Sequence, residues 1–448
     1  MVILIDSAEI ANRFIEEFSS NESIIIPIAS DPLKHSMDNR LSLLYVYLLD
    51  GQEYLLFLNH SETIFNSDNI ISELKSDKRK FCSDKKGFNH LLDFDNVFDL
   101  NLVEYLHDNK AMNLEDMLTN CHRTYYNKYY KFNNINDFIP ALKHLEYCSK
   151  IKDKLLGTLD RGIPECYSDY DRMLENYAKI EENGLFVHKE KFLSNFGINH
   201  KRHISKENLV FTEYNYNTIT GRPSNRFGGI NYSALNKDDD TRTIFASRQE
   251  GVILEYDFDA YHMRLISDLI GYKLGPMSVH EYLAKKYFNK DDISLEEYEE
   301  SKSISFRVLY GGIPKEFENI EFFKLTKQFI FSLWDTYNRS GFIKTPLYKR
   351  KLKKKNLGDL IPQKLFNYYI QAYETEANFD MIEMINDRLD GLNTKLILNT
   401  YDSFTLDFDL KDGKDLIFDI KEKLKYPTKI KWGTDYKNLK PLEYQVLV

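Results

Sequence analysis

The chain has 448 residues, 42% hydrophobic and 29% charged, a composition of globular protein long enough for two or three cores rather than one. Its net charge of −9 is the wrong sign for coating nucleic acid by bulk attraction, although a local basic groove is still allowed. Cys82, Cys121, Cys148 and Cys166 lie far apart without C-x-x-C spacing, which excludes a zinc ribbon or a disulfide framework and points to a reducing compartment. No stretch approaches the roughly 18 apolar residues of a membrane span. Met1-Val2-Ile3-Leu4-Ile5-Asp6 lacks the basic start of a secretion signal, so a cytoplasmic protein without a membrane partner is expected.

In chain order, the first third predicts a mixed α/β unit. Ile24 to Ile28 and Leu41 to Leu49 are strand-like, and Asp50-Gly51 leads into Tyr54-Leu55-Leu56-Phe57 as a hairpin. Asn101 to His107 and Phe138 to Leu156 carry helical spacing, and the glycine and proline between Gly157 and Ser168 predict a boundary. A helix over Tyr170 to Glu182 stops at Asn183-Gly184. A polar stretch to Asn208 and a strand-like alternation over Phe211 to Ile219 follow, then the turn-rich Thr220-Gly221-Arg222-Pro223-Ser224-Asn225. A strand over Val252 to Tyr256 ends at Asp257, and the chain is then mostly helical to Asn386. A hairpin over Lys395 to Phe408 surrounds Asp402 before a lysine-rich tail. The basic run Tyr348 to Lys355 reads first as a solvated face, with phosphate contact as the other reading.

Three features carry chemistry. Asp257 and Asp402 each close an apolar run; an aspartate in that place is, by itself, most often a cap or a solvated turn residue. Between them Lys302, Phe306 and Tyr310 recur every four residues, which sets one cation and two rings in a row along a helix. Alone, that row reads equally well as an amphipathic helix with buried rings. As a set, the row suits a nucleotide, and paired aspartates suit Mg²⁺, a hard ion held by one or two carboxylates plus substrate phosphates.

Asp257-Phe258-Asp259-Ala260-Tyr261-His262-Met263-Arg264, the Lys302-to-Tyr310 segment and Tyr401-Asp402-Ser403 resemble, in that order, motifs A, B and C of family A DNA polymerases, the group of bacterial DNA polymerase I. Thr220 to Ser224 resembles the T-G-R-x-S segment before motif A, and Arg242-Thr243-Ile244-Phe245 the basic-aromatic run leading into it. Asn367-Tyr368-Tyr369-Ile370-Gln371 resembles the N-x-x-x-Q helix between motifs B and C. The resemblance covers the chain from Tyr170 onward and the first third only loosely.

It implies an α+β chain: a degenerate 3′-5′ exonuclease-like (ribonuclease H-like) α/β domain over 1–160, then a right-hand polymerase domain. Within the latter, a shortened thumb and linker would span 161–219, the palm 220–268 and 361–448, and the fingers 269–360. The resemblance further implies a DNA-directed nucleotidyltransferase using two Mg²⁺ ions, with Mn²⁺ as substitute, held by Asp257 and Asp402. Lys302 is expected on the triphosphate, with Phe306, Tyr310, His262 and Arg307 around the dNTP. Arg222, Asn231, Arg264, Asn367, Gln371 and Tyr401 are expected against primer-template DNA.

The match also departs from the family. His262 stands where the family carries a glutamate abutting the sugar, Tyr298 where it often has an arginine for the triphosphate, and Arg307 where it has a glycine. Ser403 replaces an acid beside Asp402, with Asp259 a candidate to supply the missing charge. Too few residues separate Gly184 from Thr220 for a long helical thumb, which predicts low processivity unless a partner clamps the DNA. In the first third, Ile26 to Asp31 lacks a D-x-E pair, Asp84-Lys85-Lys86 resembles the second motif of exonuclease-dead relatives, and Tyr147 to Ile151 lacks an acid, leaving Asp99 isolated. No proofreading is expected. Two alternatives stand: a polymerase with relaxed sugar or template choice, prompted by His262, and a non-catalytic primer-template binder, prompted by Tyr298, Arg307 and Ser403. The lean architecture fits a phage-type enzyme in a bacterial or phage-infected cytoplasm.

Overall fold

The computed structural model describes residues 2–29, 31, 33–58, 67–110, 139–248, 251–275 and 278–442; the expectations at Cys121 and Phe138 lie outside them. The chain divides into two units, Met1–Glu182 with Ile198–Thr212 and Phe227–Gly229, and Asn183–Gly197 with Glu213–Arg226 and Ile230–Val448.

In the first unit β1 (Val2–Leu4), β2 (Ser23–Ala29), β3 (Leu41–Leu48), β4 (Glu53–Phe57), β5 (Lys80–Cys82) and β6 (Val97–Asp99) form one sheet in the order β1-β4-β3-β2-β5-β6. β2, β3 and β4 pair antiparallel, β5 and β6 continue from β2 in parallel, and β1 lies parallel to β4. β2 and β3 are buried on both faces, which is why they read as near-continuous Ile, Leu and Val. Helix α1 (Ala8–Ser20) brings Phe14 and Phe18 into one core with Ile25, Leu44 and Val46. Further helices are α2 (Ser67–Glu73), α3 (Lys85–Leu91), α4 (Leu100–Asp108), α5 (Ile139–Leu159) and α6 (Tyr167–Asn183). Asp84 caps α3 through the Gly87 N–H at 3.2 Å, and Asp99 caps α4 through the Leu102 N–H at 2.9 Å. The break expected near Gly157 separates α5 from α6, while the division between units falls at Glu182.

In the second unit β7 (Gly251–Phe258) is central to an antiparallel sheet. A small hairpin, β8 (Phe342–Lys344) and β9 (Lys351–Lys353), stands apart from it, and β10 (Lys395–Asn399), β11 (Ser403–Asp409), β12 (Thr428–Gly433) and β13 (Lys440–Pro441) complete the order β10-β11-β7-β12-β13. Gly251 opens β7 because a Cβ there would come 2.7 Å from the Phe408 carbonyl. The helices of eight or more residues are α7 (Lys189–Phe196), α8 (Tyr261–Ile270), α9 (Val279–Phe288), α10 (Leu295–Gly311), α11 (Glu321–Ser340), α12 (Pro362–Leu389) and α13 (Asp415–Lys423). α8 to α12 share a core of Met263, Leu283, Val308, Phe322, Tyr337 and Phe366. Positions 372–379 of α12 are buried without a break, so the helix is covered on every side and shows no apolar stripe. Trp334 stacks on Tyr337 within α11, and Trp432 of β12 lies opposite Leu254.

Three expectations change. The polar stretch after Gly184 contains α7, held by the fully buried Phe192. The strand expected over Phe211 to Ile219 shrinks to two residues, because only Tyr214 and Asn215 find partners, in Asn225 and Ser224. The lysine-rich tail is α13 and β12, part of the sheet. Among the described residues no helix is long and apolar enough to cross a membrane.

Candidate active site

Pairing of β7 with β11 sets Asp257 opposite Ser403, and the Phe258 N–H donates to the Asp402 carbonyl at 3.0 Å. Thr400 and Ser403 close the β10–β11 turn with backbone hydrogen bonds of 3.0 and 3.3 Å, with Tyr401 in the left-handed region at φ 58°. Holding a tyrosine there costs roughly 1 kcal/mol. The strand-end aspartates thus line one open cleft of about 510 Å³. Burial pushes the Asp402 carboxyl up, and the charges of Asp257 and Glu374 add to the effect. Two carboxylates in a shared open cleft are a donor set that fits a hard divalent cation.

α10 starts in a capping box, with Ser294 and Glu297 each bonding the other's backbone N–H. Its buried positions are Ser301, Ser305, Val308 and Leu309, and the Lys302–Phe306–Tyr310 row lies beside that face, along the cleft. Phe306 is 53% exposed and stacks on Tyr310 at 6.0 Å and 12°. An exposed phenylalanine in a polar cleft is poor core packing and a good platform for a flat ligand. The Lys302 ammonium pairs with Glu299 at 2.7 Å and lies 4.5 Å from the Tyr298 ring. Burial, then the charge of Glu374, pushes the Tyr310 phenol up to about 12.

Glu374 of α12 ties the cleft walls together. Its side chain is 2% exposed, with Oε2 2.8 Å from Arg222 Nε and Oε1 3.2 Å from His262 Nε2. Arg222 Nη2 also donates to Oε1 at 3.3 Å. Burial alone would push this carboxyl up, but the charges of His262 and Arg222 and their hydrogen bonds hold it below its ordinary value. His262 Nδ1 in turn hydrogen-bonds the Tyr310 hydroxyl, and the Arg222 guanidinium lies 3.7 Å over the Tyr401 ring.

The cleft therefore collects Asp257, Asp402, Lys302, Phe306, Tyr310, His262, Arg222 and Gln371. Tyr401 reaches it only through Arg222. Asn367, one turn from Gln371, and Asn231 are half-buried outside the lining, and Arg307 is exposed on α10 away from it. Arg264 is buried and committed to Asp259, donating to its carboxylate at 3.1 Å and its carbonyl at 2.9 Å. Asp259 is no free surface acid: it also sits 3.4 Å from Lys429 Nζ and accepts from the Val279 N–H at 3.4 Å. In the basic run Arg350 is fully buried, donating to the Ile219 carbonyl at 3.2 Å, while Lys349, Lys351, Lys354 and Lys355 are exposed.

Sequence reasoning missed Glu374, Lys429 and Lys431. Glu374 follows Gln371 by three residues, hence shares its helix face, and that spacing was the available signal. Lys431 Nζ donates to Asp257 Oδ2 at 2.6 Å and to Glu255 Oε1 at 3.1 Å.

In the first unit His35, His90 and Glu181 offer ligand atoms within 4.8 Å of one another. They do not fit a metal. His35 Nδ1 accepts from the Met37 N–H at 3.2 Å, so its Nε2–H donates to the Thr212 carbonyl at 3.0 Å and no lone pair remains. Glu181 already holds the Lys86 ammonium.

No family model matches the chain, and no curated protein does. Among solved structures, the POL domain of Pol1 from M. smegmatis, in complex with DNA primer-template and dNTP, aligns with a TM-score of 0.72 at 13% identity, covering 98% of this chain and 99% of that one. The chain has the fold of a polymerase domain.

Proposed function

We propose that this chain is a template-dependent DNA polymerase of the family A kind, adding dNTPs to a primer 3′-hydroxyl with release of pyrophosphate. The observation that carries the reading is the cleft itself, where Asp257 of β7 and Asp402 of the β10–β11 turn face the Lys302, Phe306 and Tyr310 row. That the similar POL domain was solved with primer-template and dNTP supports the same ligands here. In this reading the β7–β11–β12 sheet is the palm and α9 to α11 belong to the fingers. Asp257 and Asp402 would hold two Mg²⁺ ions, which neutralise charge on the attacking and leaving oxygens of an in-line displacement. Lys302 would leave Glu299 for the triphosphate, Phe306 and Tyr310 would take the base and sugar, and Arg222 with Gln371 would meet the primer-template from the opposite wall. His262, fixed between Tyr310 and Glu374, would face the ribose.

The order β4-β3-β2-β5-β6 in the first unit, antiparallel then parallel, supports a ribonuclease H-like domain. Asp84 and Asp99 serve there as helix caps, which supports loss of nuclease chemistry. The lean chain is consistent with a phage-type enzyme of low intrinsic processivity.

Extension of a labelled primer on a DNA template with Mg²⁺ tests the reading. Wild type is expected to extend with dNTPs and Asp402→Ala to lose that extension. Preference for NTPs would shift the assignment to an RNA-related enzyme; tight primer-template binding without extension by wild type would make the chain a binding module.

A further inference from the structure

β12 carries Lys429 and Lys431 two residues apart, hence on one face of the sheet, with the buried Ile430 between them on the other. Lys431 lies directly opposite Glu255 in the β7–β12 register, and its ammonium is shared between Glu255 at 3.1 Å and Asp257 at 2.6 Å. Its side chain is 34% exposed, so it has room to move, whereas the Glu255 side chain is held at 10%. A divalent ion arriving on Asp257 would meet this ammonium at the same carboxylate. Two cations there repel, and the lysine has a second carboxylate already within reach.

We propose that Lys431 is a displaceable counter-ion of the metal carboxylate: it occupies Asp257 when no divalent ion is bound, retires to Glu255 when one binds, and thereby sets the affinity of the cleft for divalent cations. This rests on Asp257 and Asp402 being the metal carboxylates. Lys431 touches no substrate in this account; it is a positioning residue acting through Asp257.

The two ends of the device predict opposite signs. Removing the ammonium frees Asp257; removing Glu255 leaves the ammonium with Asp257 alone. Mn²⁺ binding to the full chain, read by electron paramagnetic resonance of the free ion without DNA or nucleotide, is compared in wild type, Lys431→Met, Glu255→Gln and Asp402→Asn. Lys431→Met is expected to tighten Mn²⁺ about fivefold, in line with one unit charge removed at contact distance in a wet cleft, and Glu255→Gln to weaken it. Unchanged or weaker binding in Lys431→Met, with wild-type binding still lost in Asp402→Asn, would overturn the counter-ion role alone. Wild-type binding that is absent, or indifferent to Asp402→Asn, would overturn the metal site itself, and the counter-ion with it.

Discussion

Glu374 is the residue on which the cleft depends most. A carboxylate sealed from solvent is tolerated only because Arg222 and His262 answer it. Glu374→Ala strands both partners around a void, and a loss of about 3 kcal/mol or more is expected in urea unfolding. Activity should fall through a raised dNTP KM, since His262 and Arg222 lose their anchor while Asp257 and Asp402 stay in place. Glu374→Gln keeps an acceptor for Arg222 and is expected to recover more of the stability than of the KM. Equal recovery of both would assign Glu374 a purely structural part. The carboxylate also explains why His262 differs from an isolated imidazole on a helix: it is gripped from both ring nitrogens, by Glu374 on one side and Tyr310 on the other.

Among the elements of the first unit, α3 carries His90, the turn before Ser36 carries His35 and β6 ends at Asp99, three buried groups that respond to acid. Burial pushes His35 down to about 3 and His90 down to about 4, with the positive charge of Lys86 adding to both. The folded state therefore binds fewer protons than the unfolded chain, and stability falls as pH drops below the ordinary histidine range, by up to roughly 1.4 kcal/mol per pH unit for each ring. Asp99 has the opposite sign: burial raises it to about 7, so the stability tied to its protonation is lost as pH rises toward that value. Between pH 4 and 6.5 Asp99 thus opposes the two histidines. Urea titrations across that range are expected to show a steeper acid slope in Asp99→Asn than in wild type, because the opposing proton is gone.

These groups also mark what the sequence concealed. The strand ends before Asp257 and Asp402 and the row on α10 were legible from strand and helix periodicity, and their grouping as one set came from the resemblance of the three segments in order. Asp99 read as an isolated acid, and its service to two helices is visible only once β6 and α3 meet, where both its oxygens accept backbone N–H groups of Lys85 and Leu102. Glu374 and Lys431 were hidden for a related reason. Their meaning lies in partners on other elements, more than a hundred residues away, and in the evenly buried α12 only the three-residue spacing from Gln371 pointed to Glu374. α7 escaped notice because one phenylalanine, Phe192, supplies its anchorage.

For the molecule as a whole, the acids described in the first unit near β5 and β6 are already engaged within the fold. Asp84 and Asp99 are spent on caps, and Lys85 and Lys86 turn inward to Asp171, Glu175 and Glu181. Wild type incubated with Mg²⁺ and a 3′-mismatched primer, without nucleotides, is expected to leave the primer at full length. Shortening that disappears in Asp99→Ala would show that the cap can also serve as a ligand.

The distribution of indole rings has a practical consequence. Both tryptophans of the chain, Trp334 and Trp432, belong to the second unit, while the first has none. Emission excited selectively from indole therefore reports the second unit alone, whereas far-ultraviolet dichroism reports the helices and strands of both. Trp432 is, moreover, the covalent neighbour of Lys431, so the chain carries its own optical probe beside the carboxylates, and no label has to be introduced to follow what happens there.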